Sequence, residues 1–276
     1  MTQRSLSFTI ESGRAERQYW QDLWRYRELF YFLAWRDILV RYKQTTIGIA
    51  WALLRPFLTM IVFSVVFGSL AKLPTQGAPY PILVFAAMLP WQFFANSLSE
   101  CSNSLITNAN LLSKVYFPRL VLPTSAVIVS LIDFMISSVI MVGLMAWYHF
   151  IPSWRIITLP FFILIAFSAA MGAGLWLSAL NVKYRDFRYV VPFIIQFGLY
   201  ISPVGFSSSI VPEQWRWIYS LNPMVGVIDG FRWAILGGDS HLYLPGFVIS
   251  IGIVFAFLFG GIRYFRAYER SFADVI

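Results

Sequence analysis

Charge is scarce in this sequence. Asp, Glu, Lys and Arg make up 12% of its 276 residues, against about 25% in a soluble domain, so most of the chain has no water-facing surface to cover. A single cysteine, Cys101, excludes an intramolecular disulfide. Two histidines, His149 and His241, are too few and too far apart to suggest a metal cluster. No G-x-x-x-x-G-K-S/T phosphate loop occurs, which closes that route to binding ATP, and there is no H-E-x-x-H or G-x-S-x-G. The first 45 residues are charge-rich and hold no uninterrupted apolar core such as a cleavable signal has. The first membrane helix is therefore expected to double as the insertion signal. No internal repeat is visible.

What the chain has in abundance is hydrocarbon: 58% hydrophobic and 18% aromatic residues. Several apolar stretches exceed the ~20 residues that cross a bilayer core as a helix, so the expected fold class is an all-α polytopic membrane protein forming one transmembrane unit over 1–276. Six spans are predicted, at 47–71, 81–105, 120–148, 157–180, 190–206 and 245–265. Assigning the connections alternately to two sides sorts the basic residues. One side takes Arg4, Arg14, Arg17, Arg25, Arg27, Arg36, Arg41, Lys43, Lys114, Arg119, Lys183, Arg185, Arg188, Arg263, Arg266 and Arg270; the other takes Lys72, Arg155, Arg216 and Arg232. The positive-inside bias then places both termini in the cytoplasm. The net charge of +8 sits beside membrane helices and does not call for nucleic acid.

Two segments are not spans. Residues 20–38 read as an amphipathic helix with Trp20, Leu23, Trp24, Tyr31, Ala34 and Ile38 on one face and Asp22, Arg25 and Arg36 opposite. Such a helix lies in the headgroup plane, as a general anchor or at a substrate entrance, and Arg27 on its apolar side would snorkel to phosphate. Residues 207–244 are rich in Trp and Leu but interrupted. Asn222-Pro223 signals a turn between two short helical pieces and Gly237-Gly238 ends the second. The expectation is a re-entrant helical hairpin dipping in from outside, the alternative an interfacial loop in the aromatic belt. Within the spans, Ala170, Gly172 and Gly174 would let the fourth helix approach a neighbour closely.

Few charges lie at membrane depth: Arg55, Glu100 and Asp133. A proton-coupled carrier usually needs several in contact. Asp133 is expected to have a structural partner, either Ser130 or Ser137 at helical spacing or a basic group on another helix. The connection 106–119 is too apolar for a solvated linker. Leu111, Leu112, Val115, Tyr116 and Phe117 suggest either a docking surface for another subunit or packing on the chain's own helices. In span five, Phe193, Gln196, Phe197, Tyr200 and Val204 recur at i, i+3, i+4, i+7 and i+11, one aromatic face with a polar member. Such a face could line a passage, with ordinary helix packing as the competing explanation.

Lys114–Arg119 (KVYFPR) resembles the signature of polysaccharide-export ABC transporter permeases. Similar stretches follow that family's order along nearly the whole chain: Arg41–Trp51 (RYKQTTIGIAW) with Arg55-Pro56, Pro90-Trp91 with Phe93-Phe94, Lys183–Arg188 (KYRDFR), Ser202–Val204, Leu221–Met224 and Phe231–Trp233. The resemblance implies a permease without catalytic activity, in the bacterial inner membrane, acting as a homodimer with two copies of a separate ATPase subunit. ATP and Mg would bind there, and this chain would carry no cofactor. It further implies that Lys114, Tyr116, Phe117 and Pro118, with Arg185, Asp186 and Arg188, belong to the ATPase-coupling region. The channel at the dimer interface would be lined partly by spans one and five, through Trp51, Arg55, Phe193, Gln196, Phe197 and Tyr200, and the cargo would be an O-antigen, capsular or teichoic-type polymer on a lipid carrier. Alternatives are an ABC permease for a drug or small lipid, a lipid-linked glycosyl- or acyltransferase, which would need carboxylate or histidine pairs at the membrane surface, and a secondary carrier, which would need inverted repeats.

Overall fold

A computed structural model describes residues 16–43, 48–75, 77–237, 240, 242–269 and 272. The N-terminal extension before residue 16, Gln44–Ile47 of the RYKQTTIGIAW stretch, Gly238, His241 and Arg270 lie outside the described residues. Among those described, the secondary structure is helical throughout.

The chain begins with α1 (Glu16–Arg25) and α2 (Arg27–Lys43), which meet at Tyr26, and continues into α3 (Gly48–Phe63), whose last part winds as a π-helix over Ser64–Leu70. Then come α4 (Tyr80–Thr107), the short α5 (Ala109–Lys114), α6 (Val121–Trp147), α7 (Leu159–Lys183), α8 (Phe187–Ile201), α9 (Glu213–Tyr219), α10 (Pro223–Leu236) and α11 (Leu244–Tyr268). Proline in the first turn opens α4, α7, α10 and α11, where the missing N–H would have had no helical partner. Five helices are long and apolar enough to cross a membrane: Ala50–Leu70, Tyr80–Thr107, Val121–Trp147, Trp154–Lys183 and Leu244–Tyr268. They lie over five of the six predicted spans.

The remaining predicted span, 190–206, carries a shorter helix than expected. α8 has 15 residues, about 22 Å at 1.5 Å per residue, and ends at Ile201. Pro203 has no amide to donate and disfavours helical backbone at the residue before it; Ser202 is extended, with φ −77° and ψ 152°.

The middle of the bundle is α4, buried along most of its length and packed on α6, α7 and α10. Small residues set the closest approaches, as expected where helices cannot rely on hydrophobic contrast with lipid. A Cβ on Gly172 would stand 2.5 Å from the Leu258 backbone nitrogen of α11, and one on Gly174 would stand 2.5 Å from Cys101 Sγ of α4. α7 is thus held between two helices through opposite small-residue faces.

The face expected of 20–38 is corrected by the fold. Leu33 and Ala34 are buried, and Leu23, Leu29 and Phe30 pack on the core, whereas Trp20, Trp24 and Tyr31 project away from the protein. The interruption at Tyr26 shifts the helical phase, so a single wheel drawn through both helices merges two faces.

Candidate functional site

The basic segments converge on one end of the bundle. Arg36 donates to Asn108 Oδ1 at 2.9 Å, joining α2 to the end of α4. The Lys183 ammonium lies over the rings of Tyr184 and Tyr268 at 5.0 and 5.3 Å. The backbone N–H of Arg119 donates to Glu269 Oε1 at 2.8 Å, and the Tyr19 hydroxyl donates to the same oxygen at 3.2 Å. Burial pushes the Glu269 carboxyl up, against the Arg119 amide, the Tyr19 hydroxyl and the nearby Arg119 and Arg266 charges, which favour its ionised form. Burial raises Tyr19 as well, and the adjoining Glu269 carboxylate adds to it.

At this end, segment 114–119 divides in two. Lys114, Val115 and Tyr116 are exposed, Tyr116 at 85%, whereas Phe117 is 4% exposed and Pro118 is buried. Of the two expectations for this connection, self-packing describes Phe117 and Pro118, while Lys114–Tyr116 stays exposed. Phe117 and Pro118 are a buried root and lie out of a partner's reach. Arg185, Asp186 and Arg188 are exposed between α7 and α8.

One turn from the end of α2, the Arg41 guanidinium donates to both Asp133 of α6 and Glu100 of α4, and the Tyr42 hydroxyl donates to the other Asp133 oxygen. Asp133 therefore has a basic partner on another helix; the Ser130 hydroxyl bonds Ala126 O in its own helix at 3.2 Å. Two of the three charges at depth are paired here through Arg41, a residue the sequence places outside the spans.

The predicted aromatic face of α8 stands clear of the rest of the chain. Phe193 is 65% and Tyr200 62% exposed, with Gln196 and Phe197 exposed between them, and the Phe193 and Phe197 rings stack at 5.7 Å with planes 8° apart. Val204, expected on this face, is buried, because the helix has ended before it. Trp51 and Arg55 are exposed on α3, with Leu58 and Val62 along the same helix. Two apolar grooves flank these helices. One of 730 Å³ lies between α3 and α6, lined by Phe57, Met60, Leu144 and Trp147. The other, of 490 Å³, lies beside α8, lined by Trp91, Phe94, Trp176 and Phe197.

At the opposite end, α9 and α10 follow one another through the turn of the expected hairpin, α9 packing on α11 and α10 on α4, α11 and α7. The Asn222 side chain caps α10 by accepting from the Met224 N–H at 3.0 Å, and Gly237 ends it at φ +61° and ψ −142°, backbone open to glycine. Arg232, 2% exposed, donates to three main-chain carbonyls: Leu83 at 3.3 Å, Val204 at 2.9 Å and Phe206 at 2.6 Å. Tyr219 donates to Ile201 O at 2.8 Å, and Asn222 to Ser202 Oγ at 2.9 Å. The hairpin thus holds the stretch where α8 stops, and satisfies carbonyls that a longer α8 would have used internally. Sequence reasoning counted Arg232 as a charge outside the spans and missed this role; the available signal was a cation, with Asp229, inside a largely apolar helix. A polar cavity of 460 Å³ lies beside it, lined by Asp229, Arg216, Tyr219 and serines 207–209.

Comparison with known proteins adds to this geometry. The family model described as ABC-2 type transporter matches residues 28–236. The chain is 29% identical over 215 residues to the O-antigen export system permease protein RfbA of Myxococcus xanthus, covering 77% of this chain and 82% of that one. It is 27% identical to the protein of the same name from Klebsiella pneumoniae, over 87% and 92% of the two chains. It is 24% identical to the polysialic acid transport protein KpsM of Escherichia coli, over 86% and 92%.

Proposed function

Because the chain belongs to the ABC-2 type transporter family, we propose that it is the membrane permease of an ABC exporter carrying lipid-linked polysaccharide, O-antigen-like in kind, out of the cytoplasm. The relatives named for O-antigen export support the cargo class. The observation that carries the reading is the α8 face: stacked Phe193 and Phe197, with Gln196 and Tyr200, exposed on a helix whose other side packs on α4 and α7. Aromatic planes with interspersed hydrogen-bonding groups hold each sugar weakly and repetitively, which lets a polymer slide where a tight site would stall it.

In this reading two copies associate with Trp51, Arg55 and the α8 residues Phe193, Gln196, Phe197 and Tyr200 toward the passage. Two ATPase subunits, which bind ATP and Mg, dock on the basic end through Lys114 and Tyr116 with Arg185, Asp186 and Arg188. Phe117 and Pro118 anchor that segment and transmit its movement. The charge asymmetry supports a topology with the basic end and both termini in the cytoplasm and the hairpin outside, in the bacterial inner membrane. Reconstitution tests the scheme. The purified chain alone hydrolyses no ATP and moves no polymer, and both activities appear on adding the ATPase subunit. ATP hydrolysis or uphill transport by the chain alone overturns it.

A further inference from the structure

Glu269 ends the last helix, 150 residues from Arg119 and 250 from Tyr19, yet the three meet. One carboxylate oxygen takes both the Arg119 backbone N–H and the Tyr19 hydroxyl, and the Arg119 guanidinium returns to the Glu269 main-chain carbonyl. Apolar and cation–π contacts close the junction. Arg266 lies 4.6 Å from the Tyr19 ring centroid, and Arg119 lies 6.0 Å from that of Phe272, which is buried edge-on against Phe265.

The place of this junction gives it meaning. Arg119 stands just ahead of α6, where its amide has no helical carbonyl to donate to, and just after the buried root of the exposed Lys114–Tyr116 tip. Phe117 and Pro118 fix the root's position by burial, but packing alone leaves its angle soft. Hydrogen bonds are directional, and those at Arg119 set the direction in which the tip leaves the bundle. They also tie it to α1 and α11.

We propose that Glu269 is a positioning residue for the docking segment: it fixes the exit angle of Lys114–Tyr116 and passes movement of that segment to α11 and α1. This rests on the permease reading above. The acceptor oxygen, rather than the charge, is what the geometry uses, so Glu269→Gln keeps the function and Glu269→Ala loses it. The main-chain contact to Arg119 survives in both variants, which keeps the segment folded.

The test replaces the chromosomal copy with each variant for the export, hydrolysis and abundance measurements, and a parallel set, compared only among its own members, carries a photo-cross-linking p-benzoylphenylalanine at position 116 for the cross-link yield. Cell-surface polysaccharide, ATP hydrolysis by the isolated complex, chain abundance and cross-link yield to the ATPase are then measured. Glu269→Ala is expected to retain abundance and hydrolysis while surface polysaccharide per ATP and cross-link yield fall about tenfold; Glu269→Gln restores both. Wild-type export in Glu269→Ala, equal impairment of the two variants, or a parallel loss of abundance, hydrolysis and export overturns the proposal. A wild-type copy that restores no surface polysaccharide to a deletion strain overturns the exporter reading instead, while cross-linking at position 116 still reports on Glu269.

Discussion

Tyr116 and Phe117 are neighbours with opposite fates, and their substitutions should separate accordingly. Tyr116 projects into solvent, so Tyr116→Ala should change stability by no more than about 0.5 kcal/mol while reducing transport per ATP hydrolysed. Phe117 is in the core, and Phe117→Ala should cost about 3 kcal/mol, lowering the amount of folded chain before any effect on coupling is seen. Detergent thermal denaturation set beside transport in vesicles checks both; a destabilised Tyr116→Ala chain would contradict the exposed placement. Arg232 makes a different case. Its loss leaves the Val204 and Phe206 carbonyls, which lie outside any helix, without this donor, at about 1–3 kcal/mol for each unsatisfied buried group. Arg232→Ala should therefore destabilise the chain by at least about 2 kcal/mol, and Arg232→Lys, which cannot reach three carbonyls in one plane, should recover little of it. Equal stability of Arg232→Lys and the wild type would argue against the three-carbonyl geometry.

Among the elements, α8 joins a legible pattern to an illegible boundary. The spacing of Phe193, Gln196, Phe197 and Tyr200 gave their shared face from periodicity alone, because one helix determines it; that the face is exposed depends on the helices around it. Where α8 stops depends on Pro203 and on the hairpin that receives its carbonyls, so the predicted end at 206 ran past the real one. A lining role makes a directional prediction: Phe197→Ala with Tyr200→Ala should slow polymer export about tenfold with ATP hydrolysis nearly unchanged, measured on the reconstituted complex. An equal fall in both rates would assign these rings to packing. α2 shows the converse. A helical wheel through 20–38 is blind to the interruption at Tyr26 and blind to Asp133, the acidic partner 92 residues from Arg41.

For the whole molecule, the single chain leaves long apolar faces exposed, on α11 as well as on α3 and α8. α3 is exposed along most of its length and α8 along its aromatic face. If two copies meet there, cysteines replacing Leu58 or Val62 on α3 should cross-link between copies in membranes, whereas cysteines at the exposed Phe255 or Phe259 of α11 should not. The one native cysteine, Cys101, is buried and gives such an experiment a quiet background. Cross-linking confined to α11 would place the interface elsewhere.

Apolar length, proline position and charge asymmetry are local or additive along the chain, so the amino-acid order alone determined the all-helical class, five of the long membrane helices, the hairpin's turn at Asn222 and the segregation of basic residues. Contacts between residues far apart in sequence have no such periodicity. The pairing of Arg41 with Asp133 and Glu100, the burial of Arg232 among carbonyls of α4 and the stretch after α8, the division of 114–119 into tip and root, and the meeting of Tyr19, Arg119 and Glu269 were decided only by tertiary structure. In each case one side chain's environment is made by backbone that arrives from another helix.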